Sequence, residues 1–196
     1  MIRLGLTGSI GAGKSTVADL LRQRNIPVLD ADVAARSATA DPMVLKAVRA
    51  EFGPDVMPGG ALDRRRLAAL VFHDPQSRAA LNAIIHPWVR RDLARQEAAL
   101  KDAGAEVVVQ DIPLLFESGL EGTFDAVLNV DAPFELRACR LRNRSGMSLD
   151  EARARDAAQM NSETKNARAT VVLRNDGTLE DLERQLDAAL ERLVCV

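Results

Sequence analysis

The spacing of apolar residues changes twice over the first thirty positions. Residues 2–8 form a mainly apolar run of the length of a strand, and apolar residues within 17–21 then recur at helical spacing. A second short apolar run follows at 26–29. This order predicts a strand, a loop, a helix and a second strand, which is how a parallel α/β fold begins.

From residue 33 to residue 103 the apolar residues keep helical spacing, without a further buried strand. Asp41, Asp63 and Asp74 each stand just before an apolar stripe, where an aspartate typically marks the start of a helix. Pro87 lies inside the third stripe and predicts that a helix restarts there. A helical insertion of this length is not needed to complete the sheet, so we expect it to bind a second substrate.

Three further apolar runs, at 106–110, 126–130 and 169–173, predict three more strands of a parallel sheet. Between the last two, residues 136–144 predict a basic helix, which Gly146 ends. A capping box then starts a second basic helix. A leucine stripe after the fifth strand predicts the last helix of the chain.

The segment that joins the first strand to the first helix has the pattern Gly-x-x-x-x-Gly-Lys-Ser at 8–15. Its glycines allow the backbone to curl so that N–H groups point at phosphate oxygens, with the positive end of the next helix behind them. Lys14 adds a mobile positive charge for the β- and γ-phosphates, and the Ser15 hydroxyl is placed to bind Mg²⁺. A glycine-rich turn beside a solvated lysine is the alternative. The strand and the helix on either side make a nucleoside triphosphate site the better interpretation.

Acidic residues follow two of the predicted strands. Asp30 and Asp32 come after the second strand, and Asp111 comes after the third. Ligands of open parallel sheets lie outside the carboxyl ends of the strands, so we expect these carboxylates to face the same crevice as the P-loop. Side chains alternate along an extended chain, so Asp30 and Asp32 lie on the same side of the strand unless the turn has already begun. One of the two carboxylates is a plausible base. Asp111 holds the position of the carboxylate that orients the Mg²⁺ shell in P-loop proteins.

Residues 112–117, which we call the apolar loop, follow Asp111 and include Leu114 and Leu115. This loop either covers the core or forms a wall for a substrate, and the sequence leaves both interpretations open.

Arg137, Arg140 and Arg144 are spaced i, i+3 and i+7, which places them on one helix face. In isolation such a face is usually solvated. In a protein that must neutralise a triphosphate, an arginine-bearing helical hairpin after the fourth strand indicates a lid. Asn175, after the fifth strand, either helps to hold an adenine or belongs to an ordinary left-handed turn in Asn-Asp-Gly.

These elements together predict an α/β fold of the P-loop NTPase type, with three layers and a five-stranded parallel sheet. We expect a single P-loop kinase domain over residues 1–196, with a helical acceptor-binding insertion at about 33–103 and a helical lid at about 137–165. The length suits one α/β domain with insertions.

Composition narrows the class of protein. The chain is 47% hydrophobic and 28% charged, and no apolar run approaches the roughly 20 residues of a membrane span. Because the first strand and P-loop occupy the N-terminus, we predict no signal peptide. Cys139 and Cys195 stand alone, which favours a reducing compartment, and we expect a cytoplasmic protein. The net charge of −2 gives no basic field for nucleic acid.

With these motifs collected, the chain resembles the dephospho-coenzyme A kinase family over nearly its whole length. The segments that carry the resemblance are 5–15, 29–32, Ile84-Ile-His-Pro87, Asp111-Ile-Pro-Leu-Leu-Phe-Glu117, 140–144, Gln159 and 175–177. The resemblance implies ATP-dependent phosphorylation of the ribose 3′-hydroxyl of dephospho-coenzyme A, the final step of coenzyme A biosynthesis, with Mg²⁺. It implies that Asp32 is the base, that the insertion with His86 binds the acceptor, and that Arg140 and Arg144 clamp phosphates.

The predicted site therefore has four groups of residues. Catalysis is assigned to Asp32, Lys14 and Arg140. ATP binding is assigned to Gly8, Gly11, Ala12, Gly13, Lys14, Ser15, Thr16, Arg140, Arg144 and Asn175. Acceptor binding is assigned to Asp32, His86, Leu114 and Leu115, and metal binding to Ser15 and Asp111. For His86, a buried helix cap is an equal alternative.

Three other functions fit the sequence less well than the one that this resemblance implies. A nucleoside or nucleoside monophosphate kinase shares the core and lid, but its acceptor needs no apolar wall for a pantetheine arm. A GTP-binding switch requires Asn-Lys-x-Asp and Asp-x-x-Gly motifs, and the sequence contains neither. A nucleic-acid-dependent ATPase is disfavoured by the net acidity. We expect ATP and dephospho-coenzyme A as small-molecule partners, with no nucleic acid, no membrane and no obligatory protein partner.

Overall fold

The computed structural model describes residues 1–194, and it describes His73 by its backbone only. Cys195, to which the sequence assigns no role, lies outside the described residues. The strands are β1 Ile2–Gly8, β2 Val28–Asp30, β3 Val107–Asp111, β4 Ala126–Asp131 and β5 Val171–Arg174. The helices are α1 Lys14–Gln23, α2 Ala31–Ala38, α3 Pro42–Phe52, α4 Arg64–His73, α5 Pro75–Asp102, α6 Phe134–Ser145, α7 Leu149–Ala157, α8 Ser162–Arg168 and α9 Leu179–Val194.

The five strands form one parallel sheet in the order β2-β3-β1-β4-β5, which confirms the predicted sheet. The central strands β1, β3 and β4 are the most buried, because they are covered on both faces. In the register, Leu6 of β1 lies beside Asp111 of β3, and Gly8 lies beside Val130 of β4. The loop after β1 therefore leaves the sheet at its middle, next to the acidic end of β3.

Alternation along β1 separates the two faces of the sheet. Leu4 and Leu6 are fully buried in one cluster with residues of α1 and α9. On the other face, Leu115 and Phe116 of the apolar loop pack against Val127 of β4. Because each face of the sheet is covered in this way, the fold has the three predicted layers.

The chain divides into two compact units. The first contains residues 1–29 and the chain from Leu100 onwards, and it holds the sheet just described. The second, residues 30–99, is helical and has its own core, with Val48 fully buried at its centre. The predicted single-domain organisation, with an insertion at 33–103 and a lid at 137–165, stays a prediction.

Aspartates begin the helices of the second unit as predicted. The Asp41 carboxylate accepts hydrogen bonds from the backbone N–H groups of Met43 and Val44, and Asp63 caps α4 in the same way. Asp74 accepts from the backbone of Gln76 at 3.1 Å. Each carboxylate thus satisfies N–H groups that have no partner within their own helix.

The predicted restart of the third helix at Pro87 is wrong. Helix α5 continues through Pro87 over 28 residues. A proline inside a helix removes one hydrogen bond and costs about 3 kcal/mol. Ile84, Ile85 and Trp88, on both sides of Pro87, pack against the core of the second unit, and the burial of these side chains offsets the lost bond.

Within residues 1–194, none of the helices combines the length and the apolarity that a membrane span requires.

Candidate active site

The P-loop begins where β1 ends and curls back on itself before α1. Gly11 and Gly13 have φ of 77° and 99°, in the left-handed region that glycine tolerates best. The backbone N–H of Ala12 donates to the carbonyl of Ser9 at 3.0 Å, which closes the turn. Helix α1 begins at Lys14, so the backbone N–H groups of its first turn point out of its N-terminus, where anions bind.

Two side chains from other elements lie against this loop. The Asn175 amide donates to the carbonyl of Ala12 at 2.8 Å, and a Cβ atom on Gly13 would collide with that amide. A guanidinium nitrogen of Arg140 donates to the backbone carbonyl of Asn175 at 2.9 Å. The other terminal nitrogen of Arg140 is buried and has no hydrogen-bond partner among the residues that the structure describes. The structure therefore brings Arg140 and Asn175 to the P-loop.

The alternative interpretation of Asn175 as part of a left-handed turn is wrong. None of residues 175–177, all of which the structure describes, has a positive φ. Hydrogen bonds to Asp131 and Arg140 hold the Asn175 backbone instead.

Lys14 and Asp111 form an ion pair beneath the P-loop. Asp111 ends β3 and is 5% exposed, whereas Ser15 in the first turn of α1 is exposed. A hydroxyl and a carboxylate are the hard oxygen donors that Mg²⁺ prefers, so the donor chemistry fits this metal. No group of three or more His, Cys, Asp or Glu side chains within the described residues is arranged to hold a metal. A metal site of this kind takes its remaining ligands from phosphate and water.

The two aspartates after β2 have different surroundings. The Asp30 carboxylate accepts hydrogen bonds from the backbone N–H groups of Asp32 at 2.8 Å and Val33 at 2.9 Å, as the N-cap of α2. Asp32 is exposed in the first turn of that helix. The helix has therefore begun at this point, and strand alternation does not apply to the pair. Since Asp30 serves as a cap, Asp32 is the better candidate for a base.

The residues assigned to acceptor binding differ in exposure. Leu115 is fully buried in the core, which favours the core-covering interpretation for this residue, whereas Leu114 is 45% exposed. His86 is exposed within α5, so the alternative of a buried helix cap is wrong for it. Contact of these residues with an acceptor stays a prediction.

The three arginines expected on one helix face do not share one environment. Arg137 is 3% exposed, and its guanidinium donates to the carbonyls of Ala132 and Ile10 and pairs with Asp156 at 2.5 Å. Arg144 is exposed. Positions i and i+7 on a helix differ by only about 20° around its axis but by about 10 Å along it, so the same face can run from the core into solvent. Arg137 supports the P-loop from behind, a role that its spacing does not reveal.

Sequence reasoning also missed how the segment between α7 and α8 holds the P-loop. Gln159 accepts a hydrogen bond from the backbone N–H of Ile10 at 2.9 Å. The hydroxyls of Ser9 and Ser162 lie 3.3 Å apart. Helix α8 itself was not predicted, because it is short and carries no apolar stripe. The predicted lid at about 137–165 includes this region and the resemblance includes Gln159, but neither indicated a contact with the P-loop.

Comparisons with known proteins bear on what this site does. A model of the dephospho-CoA kinase family matches residues 2–181. The chain belongs to that family. It is 59% identical to the dephospho-CoA kinase of Deinococcus radiodurans over 191 residues, which is 97% of this chain and 92% of the relative. Membership of the dephospho-CoA kinase family does not favour the alternative of a nucleoside or nucleoside monophosphate kinase.

Solved structures share the fold of this chain. The crystal structure of TT1252 from Thermus thermophilus has a TM-score of 0.87 at 49% identity, covering 98% of this chain and 97% of that one. A dephospho-CoA kinase from Campylobacter jejuni has a TM-score of 0.70 at 24% identity over 98% of this chain and 97% of its own. At that lower identity the likeness shows a shared fold.

Proposed function

We propose that this protein transfers the γ-phosphoryl group of ATP to the ribose 3′-hydroxyl of dephospho-coenzyme A, giving coenzyme A and ADP. This is the final step of coenzyme A biosynthesis. The observation that carries the proposal is the P-loop with its Lys14–Asp111 pair, backed by Arg140 and Asn175, in a chain of the dephospho-CoA kinase family.

Phosphoryl transfer requires mainly alignment and neutralisation of charge. The backbone N–H groups of the P-loop and of the first turn of α1 bind the phosphates. The Lys14 ammonium stays in contact with the γ-phosphate as it is transferred. Arg140, with one buried guanidinium nitrogen that has no hydrogen-bond partner among the described residues, supplies a second positive charge. Arg144, which is exposed on the same helix, joins it when the lid at 137–165 closes and excludes water.

Mg²⁺ is part of the proposal, with Ser15 and Asp111 as its protein ligands. When bound with ATP, the ion would neutralise charge on the β- and γ-phosphate oxygens. The Asp111 carboxylate also accepts a hydrogen bond from the Lys14 ammonium, so it orients the lysine side chain that contacts the phosphates.

On the acceptor side, Asp32 accepts the proton of the 3′-hydroxyl as that oxygen attacks the γ-phosphorus. Its exposure leaves the carboxylate available for this role, whereas Asp30 is engaged as a helix cap. His86 and Leu114, which are both exposed, are proposed to contact the acceptor, and the fully buried Leu115 to support Leu114 from the core. We further propose that the protein acts in the cytoplasm on these two small molecules, with no obligatory protein partner.

The proposal is tested by product analysis. The purified protein is incubated with ATP, Mg²⁺ and dephospho-coenzyme A, with AMP and CMP in parallel, and the products are measured by mass spectrometry. We expect coenzyme A to appear in step with ADP. Phosphorylation of a mononucleotide instead would mean that the acceptor is wrong, and ADP with no phosphorylated acceptor would mean that the protein is an ATPase.

A further inference from the structure

Helix α8 carries a lysine that none of the site assignments uses. The Lys165 side chain is fully buried, and its ammonium lies 3.0 Å from a carboxylate oxygen of Glu117 at the end of the apolar loop. This nitrogen has no further hydrogen-bond partner in the part of the chain that the structure describes. A buried cation with a single counter-charge depends strongly on that one partner, because removing the partner leaves an uncompensated charge.

Glu117 is held from two sides. The oxygen that faces Lys165 also accepts the backbone N–H of Met160 at 2.8 Å. Burial raises the pKa of Glu117, whereas hydrogen bonds from the Lys165 ammonium and the Met160 N–H lower it. The hydrogen bonds together outweigh burial, so the pKa of Glu117 lies below its usual value. The carboxylate is therefore charged at neutral pH, and it fixes the end of the apolar loop to the segment before α8.

A second contact between α8 and the same region supports this geometry. Arg168 pairs with Glu121, and its guanidinium lies 5.3 Å from the centre of the Phe116 ring. Lys165 and Arg168 are three residues apart and thus lie on neighbouring positions of one helix face. Helix α8 presents two cations to two carboxylates that flank the end of the apolar loop.

The backbone of the loop transmits this anchoring to Leu114. The N–H of Ser118 donates to the carbonyl of Leu114 at 3.0 Å, and the N–H of Leu120 donates to that of Leu115 at 3.1 Å. Glu117 lies within this hydrogen-bonded turn. Since Leu115 is buried, fixing Glu117 also fixes the direction in which the exposed Leu114 projects.

We propose that the ion pair between the buried Lys165 and the partly exposed Glu117 positions the apolar loop and thereby determines selectivity for an acceptor with a long apolar arm. This inference rests on the proposed function, because it takes Leu114 as part of the acceptor wall. Lys165 and Glu117 are positioning residues, since neither touches the reacting atoms. One oxygen of Glu117 faces both the Lys165 ammonium and the Met160 N–H, so the defined geometry of this contact is the property that matters here.

The first test measures steady-state kinetics of Lys165→Met. Losing the anchor should raise the KM for dephospho-coenzyme A about tenfold, with kcat and the KM for ATP within about twofold, because the contact serves acceptor binding alone. The kcat/KM for AMP, which lacks the arm, should stay unchanged. Leu186→Ala is the matched control, since it removes a fully buried side chain from the core near α9 and leaves the apolar loop intact.

The double variant Lys165→Met/Glu117→Met separates positioning from stability. Glu117→Met leaves the buried Lys165 ammonium without its counter-charge and should lower the thermal midpoint, whereas the double variant replaces both groups by apolar ones and should restore it. The KM for dephospho-coenzyme A should nevertheless stay high, because the anchor to Met160 is gone. A KM that returns with the thermal midpoint would overturn the inference and leave a purely structural pair.

Hydrogen exchange of residues 112–120 gives a readout that does not depend on the reaction. Exchange there should be faster in Lys165→Met and in the double variant than in the wild type, and unchanged in Leu186→Ala. Equal exchange in all four proteins would overturn the inference. If the wild type forms no coenzyme A, the proposed function fails. If the wild type is active but Lys165→Met has a normal KM for the acceptor, only this inference fails.

Discussion

At the scale of single residues, the contrast between Asp30 and Asp32 gives the clearest prediction. Asp32→Asn should lower kcat by about 10²–10⁴-fold, the range for loss of a general base, while ATP affinity stays within a few-fold. Asp30→Asn is the matched control, because asparagine caps a helix as well as aspartate does, and it should retain near-normal turnover. Steady-state kinetics with nucleotide-binding titrations would measure both variants. Near-normal turnover in Asp32→Asn would remove Asp32 as the base.

Two features of the structure, the backbone conformation and a close neighbour, require glycine at position 13. Its φ of 99° is unfavourable for other residues, and an added Cβ would meet the Asn175 amide. We therefore expect Gly13→Ala to raise the KM for ATP about tenfold or more, since the P-loop must deform. Gly53→Ala is the control, because Gly53 has a φ of 81° but no atom near its missing Cβ.

Both glycine variants should lower the thermal midpoint, and only Gly13→Ala should change ATP kinetics. A normal KM for ATP in Gly13→Ala would show that the P-loop does not hold the nucleotide as proposed.

At the scale of elements, the start of α3 predicts a pH dependence of stability. The Trp88 indole donates to the Asp41 carboxylate at 2.9 Å. This bond, with those from the backbone N–H groups of Met43 and Val44, lowers the pKa of Asp41 from its ordinary value of 3.8. A carboxyl whose pKa is lower in the folded state stabilises the fold above its unfolded pKa and loses that contribution as the pH falls through the folded value.

Asp41→Ala should therefore lower the thermal midpoint at neutral pH, and the difference from the wild type should shrink below about pH 3.8. Thermal melts followed by circular dichroism would measure it. Asp55→Ala, which removes a charge from an exposed position of the same unit, is the control and should change little. A difference for Asp41→Ala that is independent of pH would contradict the role of the charged carboxylate.

The elements that were predictable are those whose signal is local. All five strands and the helix starts at Asp41, Asp63 and Asp74 follow from apolar spacing and capping. The continuation of α5 through Pro87 was not predictable, since it depends on packing of Trp88 and the two isoleucines against residues distant in sequence. Helix α8 was missed for a similar reason, because a buried lysine paired with Glu117 leaves no apolar periodicity.

At the scale of the whole molecule, the P-loop motif and the order of the elements indicated the fold, and the resemblance at narrower segments such as 84–87 and 111–117 indicated the family. The site was predictable where chemistry is written in a motif, as at Lys14 and Ser15, or at a strand end, as at Asp111. The site was not predictable where a side chain forms hydrogen bonds with the backbone of residues distant in sequence. Gln159 on the Ile10 backbone is such a case, and so is Arg137, which supports the P-loop from the buried side.

The measurement that tests the central claim most directly locates the new phosphate on the product. The product of ATP and dephospho-coenzyme A is isolated, and ³¹P–¹H correlation NMR identifies the ribose proton that couples to the added phosphorus. Phosphoryl transfer as proposed predicts a single new monophosphate coupled to the 3′ proton, in an amount equal to the ADP formed. A phosphate on the 2′ position, or only inorganic phosphate beside ADP, would contradict it.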